Sequence, residues 1–201
     1  MGWFVQRLSI ALAICGVAHA TPSPAWRLTR SNHFEIYSQT TDQRTRQILE
    51  WFEQLRAFFA QQGASKMISS PPVRIVVFAS EREYEPYRLR STADAYSVGT
   101  GSQDYIVMGS DNPLKFGLAA HEYAHLASRA WNLQQLPPWL SEGVAEFFAT
   151  LRIAEHGAAL GGALPGRMQT LASATWMPLA DLMSLSEEAR GRQERGAAKV
   201  F

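Results

Sequence analysis

The sequence predicts an α+β domain: a small mixed β-sheet packed on helices, two of which carry a polar site. Three observations predict it. Short β-branched or alternating runs come early, at 33–38, 73–78 and 103–108. Between the first two, from Thr41 to about Gln62, apolar residues recur at helical spacing. Downstream, two more helical segments each hold a pair of metal-ligating side chains four residues apart. Strands that come first, with helices between and after them, suit a sheet with helices packed on it.

Residues 1–20 read as a secretory signal peptide. Arg7 gives a weakly positive start, Leu8 to Val17 is apolar, and Ala18-His19-Ala20 is a small-x-small cleavage site. The apolar run is shorter than the about 20 residues a spanning helix needs, so no stable membrane insertion is expected after cleavage. A lipoprotein signal ending at Cys15 is the alternative, but Ile14 occupies a position that wants a small residue. Cys15 is the single cysteine, so residues 21–201 contain none and neither a disulfide nor thiolate chemistry is available to them. The chain has 19 basic and 18 acidic residues, and loss of Arg7 balances them. Such neutrality points away from nucleic acid and from an anionic membrane surface. Residues 21–201 suit one exported domain, periplasmic or secreted.

The elements follow in order. Thr21 to Ser31 is a Pro-containing extended lead-in, and 33–38 alternates as a strand. His33 has no partner motif and is read as a strand residue. Thr41 or Asp42 caps the first helix, which Gly63 closes. Its Ile48, Leu49, Trp51, Phe52, Leu55, Phe58 and Phe59 form a broad core face. Val73 to Phe78, bounded by Pro71-Pro72 and Ser80, is a central strand. Ser80 caps a short helix, 81–87. The polar stretch 91–102, with Gly99 and Gly101, reads as a loop, and 103–108 as a strand. Asp111 or Asn112 caps the next helix, with Pro113 at its first position.

That helix carries His121-Glu122-Tyr123-Ala124-His125. At 3.6 residues per turn, His121 and His125 lie on one face and can reach one metal ion. Glu122 stands beside them and suits a general base acting on a metal-bound water. Catalytic zinc usually has three protein ligands and an open position, so a third is required. Pro137-Pro138 breaks the chain and starts a second helix, Trp139 to Arg152. Glu142 and Glu146 again share a face, beside an apolar stripe of Leu140, Val144, Phe147, Phe148 and Leu151. Glu142 is the candidate third ligand. Glu146 is the candidate outer carboxylate, accepting a hydrogen bond from the free ring nitrogen of a ligand histidine.

His121-Glu122-x-x-His125 followed by Trp139-Leu140-Ser141-Glu142-Gly143-Val144-Ala145-Glu146 resembles the gluzincin metallopeptidases, and more narrowly the peptidase-MA-like families of bacteria. The resemblance covers residues 121–146. It implies a zincin-like domain over 21–201, with one Zn2+ held by His121, His125 and Glu142, and Glu122 as base. It implies hydrolysis of peptide or protein substrate through a zinc-bound water. In that family an edge strand ahead of the zinc helix pairs with extended substrate, which would give Tyr105, Ile106, Val107 and Met108 that role through their backbones. A Tyr or His beyond the third ligand often stabilises the oxyanion. No Tyr follows Tyr123, so His156, Arg152 or a group in further C-terminal sequence must serve.

Downstream, Gly157 to Gly166 reads as a mobile connection. Leu160, Leu164, Met168 and Leu171 suggest a short helix, and 176–182 precedes another. Relatives continue where Glu187 to Phe201 ends, so the chain reads as cut short. The alternative function is a catalytically inactive zinc-binding scaffold or peptide-binding domain. Accidental motifs would predict no bound metal at all.

Overall fold

The computed structural model describes residues 24–64, 71–91, 93–133, 135–154 and 157–185. The leader 1–20, His156 and the charged stretch 187–199 lie outside them. Among the described residues, a five-stranded mixed sheet has the order β1-β2-β3-β5-β4, and six α-helices accompany it. The strands are β1 (Arg27–Arg30), β2 (Phe34–Ser38), β3 (Val73–Val77), β4 (Ala95–Gly99) and β5 (Asp104–Met108). A two-stranded hairpin, β6 (Arg152–Ala154) with β7 (Gly157–Ala159), stands apart.

The helices are α1 (Asp42–Gln61), α2 (Glu81–Tyr84), α3 (Phe116–Ala130), α4 (Pro138–Ala149), α5 (Pro165–Ser173) and α6 (Leu179–Met183). None is long and apolar enough to cross a membrane. Thr41 caps α1, its side chain accepting from the Arg44 N–H. The buried Ile48, Phe52, Leu55 and Phe59 follow at steps of four, three and four, the stripe that packs on the sheet. Gly63, at φ 94°, turns the chain away in a conformation other residues rarely adopt.

β3 is central, as its β-branched run implies. It pairs in parallel with β2 and β5, and Val73, Ile75 and Val77 are buried beside α1 and α3 in the main core. The extended lead-in contains β1, which pairs antiparallel with β2. Two expectations are corrected here. The presumed loop 91–102 contains β4, antiparallel to β5. The presumed connection after Gly157 contains β7, the second half of a hairpin.

α3 and α4 pack closely because the facing side chains are small. Ala120, Ala124 and Ala127 of α3 and Ala145 and Ala149 of α4 are buried, which permits a short interaxial distance. A Cβ built at Gly117 would lie 2.7 Å from the carbonyl oxygen of Ala149. Side chains at 117 must therefore push α4 away. Gly117→Val is expected to destabilise the fold by about 1–3 kcal/mol, the range for overpacking, and to loosen whatever the two helices hold between them. Chemical denaturation of the variant checks the first effect. The apolar stripe expected on α4 holds in part: Leu151, just past the helix, is buried in the core, whereas Phe147 is 49% exposed and Ala145 and Ala149 form the helix's buried face. Phe148 is partly buried against Phe59 and Trp131.

Candidate metal centre

The α3 helix starts from a 3-10 turn at Pro113–Lys115, capped by the Asn112 side chain, which accepts from the Leu114 N–H. Along it the chain sorts side chains by face. Tyr123 is fully buried against Phe34 and Phe59, where burial pushes its phenol well above the ordinary range. His121 and His125 emerge on the face that meets α4, both partly buried.

There the two Nε2 atoms lie 3.2 Å apart. Glu142 Oε2 is 3.3 Å from His121 Nε2, and Oε1 is 3.6 Å from His125 Nε2. An ion bonded to imidazole nitrogens at about 2.0–2.1 Å in tetrahedral geometry spaces its donor atoms roughly 3.3–3.4 Å apart. The three side chains match that spacing, and this His121, His125 and Glu142 group could hold a metal ion.

The opposite ring nitrogens are also occupied. His121 Nδ1 lies 3.5 Å from Glu146 Oε1, and His125 Nδ1 lies 3.5 Å from the Ser141 hydroxyl. Partners on Nδ1 leave each Nε2 lone pair available toward the cluster, the arrangement a metal-binding histidine needs. Glu146 is in turn held by Arg167 of α5, through Nε at 3.1 Å and Nη2 at 2.5 Å. Desolvation depresses the His121 imidazole, but the Glu142 hydrogen bond and the charges of Glu122, Glu142 and Glu146 outweigh it, and the net shift is upward. The neighbouring carboxylates thus favour a cation at this cluster. Glu146→Gln is expected to weaken metal affinity about 10–100-fold, the usual cost of losing an outer partner, as a competition titration against a chromogenic chelator measures.

Glu122 sits beside the cluster on the same helix, partly buried, and accepts a hydrogen bond of 2.7 Å from the Ser97 hydroxyl of β4. Ser97 and Arg167 were not legible in the sequence, because each reaches the site from an element distant in the chain.

Two expectations about the surroundings are corrected. Tyr105, Ile106, Val107 and Met108 do not form an edge: β5 is paired by β3 on one side and β4 on the other. Its backbone has no open side for a further strand. Among the described residues the outermost strands are β1 and, on this side, β4. Arg152 does not face the cluster. Its guanidinium donates to the Leu151 carbonyl at 3.0 Å and the Ala149 carbonyl at 3.5 Å. Ala149 is seven residues along α4 from Glu142, about 10 Å at the helical rise. His156 lies outside the described residues.

No protein-family model matches the chain, and no curated protein matches it.

Proposed function

We propose that the protein is a zinc-dependent peptidase, an exported gluzincin-like hydrolase whose ion is held by His121, His125 and Glu142. The observation that carries this reading is the donor spacing of 3.2, 3.3 and 3.6 Å among three side chains from two helices. Two histidines and one carboxylate, with no cysteine among the described residues, suit an open catalytic site rather than a closed structural one. When bound there, the ion supplies Lewis acidity, polarising a carbonyl oxygen and making a water acidic near neutral pH.

The chain's own residues do the rest. Glu122 receives the proton of the attacking water on its carboxylate and returns it to the leaving amine. Glu146 and Ser141, on the outer ring nitrogens, keep both imidazoles aimed inward. The outer edge of β4 offers a place for an extended chain to lie. Gly109 N donates to the Asp94 carbonyl and Thr100 N to the Gln103 carbonyl. In an antiparallel ladder the residues alternate between bonding the partner and pointing outward. Tyr96 and Val98 therefore face β5, while Ala95, Ser97 and Gly99 direct their N–H and C=O groups to the open side. Backbone pairing there accepts many side chains, which suits peptide as substrate.

The test is hydrolysis of fluorescein-labelled casein by the purified protein, with and without 1,10-phenanthroline. Cleavage that stops with the chelator and returns with added zinc is expected. Undiminished cleavage after complete metal removal would sink the proposal.

A further inference from the structure

We infer that Ser97 is a positioning residue that holds Glu122 in place beside the metal ligands. This rests on the reading of Glu122 as the proton-transferring group. The Ser97 hydroxyl donates to Glu122 Oε2 at 2.7 Å, the one hydrogen bond that carboxylate makes among the described residues. A glutamate side chain has three rotatable bonds, and among the described residues no hydrogen bond from its own helix reaches the carboxylate. A single charge-assisted bond from a rigid strand supplies that constraint. The donor is well anchored. Ser97 sits opposite Ile106 in the β4–β5 ladder, and Ile106 is fully buried in the core beneath α3.

The backbone of the same residue points to the open edge of the sheet. A chain paired along β4 would be registered by the N–H and C=O of Ser97, while the hydroxyl of that residue fixes the base. One residue thereby sets both the bound chain and the carboxylate that acts on it. Replacing the side chain leaves the backbone role intact, so the two functions separate experimentally. The rate should fall while substrate affinity holds.

The experiment compares Ser97→Val with Ser97→Thr, which have the same shape and differ only in the hydroxyl. Zinc content per chain is expected to match wild type in both. On labelled casein, Ser97→Val should lose about 10–100-fold in kcat, the range for a lost outer partner, with KM changed less than twofold. Ser97→Thr should recover most of that loss. Crystal structures of the three proteins, with and without added zinc, give a readout independent of turnover. Glu122 should keep its rotamer in Ser97→Thr and leave it in Ser97→Val. If Glu122 stays put in Ser97→Val, or if kcat does, the inference is overturned. Were wild type to bind no zinc and cleave nothing, the peptidase reading would fail, and the Glu122 rotamer would still decide the role of Ser97.

Discussion

Glu122→Gln is expected to keep its zinc and lose about 10²–10⁴-fold in hydrolysis rate, the contribution typical of a positioned general base. Gln has the size of Glu and still accepts the Ser97 hydrogen bond at its amide oxygen, so α3 and β4 should remain packed as they are. What it lacks is a basic oxygen. The donor atoms that could hold a metal ion belong to His121, His125 and Glu142, and none of them is touched. The expected pattern is therefore a full complement of metal, an unchanged unfolding midpoint and a collapsed kcat on casein. A variant as active as wild type would remove Glu122 from the chemistry. A variant that lost its metal as well would show that the carboxylate helps to hold the ion.

Glu142→Ala should have the second large effect, on binding rather than rate. It deletes the α4 member of the group that could hold a metal ion and leaves two imidazoles on α3. Affinity is expected to fall by more than the roughly 10–100-fold cost of an outer partner. The loss has a thermal readout. An ion present at about 100 times its dissociation constant stabilises the folded state by about 2.7 kcal/mol. For a domain of this size that raises Tm by roughly 5–10 °C. Wild type should show such a rise between chelator and excess zinc, and Glu142→Ala should show none. The same rise in the variant would place the ion elsewhere.

The residues that proved legible in the sequence share one property: helix geometry fixes their relations locally. His121 with His125, and Glu142 with Glu146, are four apart, and any regular helix brings each pair to one face. The α1 stripe and the central β3 were legible for the same reason, since each carries its own period. What stayed hidden depends on pairings between distant segments. β4 looked like a loop because Ala95, Ser97 and Gly99 are small or polar; they are so because that row of the strand meets α3 and the site. The expectation that β5 forms the edge failed because either strand of a hairpin can lie outermost, and only the parallel pairing of β5 with β3 decides which. Arg167 is unremarkable in its own helix and acquires a role only by reaching Glu146. Arg152 fell away because α4 stops at Ala149, and the residues past it turn into β6.

One measurement bears on the centre of the account more directly than any rate. Wild-type protein and His125→Ala, purified without chelators or affinity resins that carry metal, are analysed for bound metals by inductively coupled plasma mass spectrometry. About one zinc per chain in wild type and almost none in His125→Ala is the predicted result. Metal-free wild type that also fails to take up zinc from solution, or equal zinc in both proteins, would contradict it.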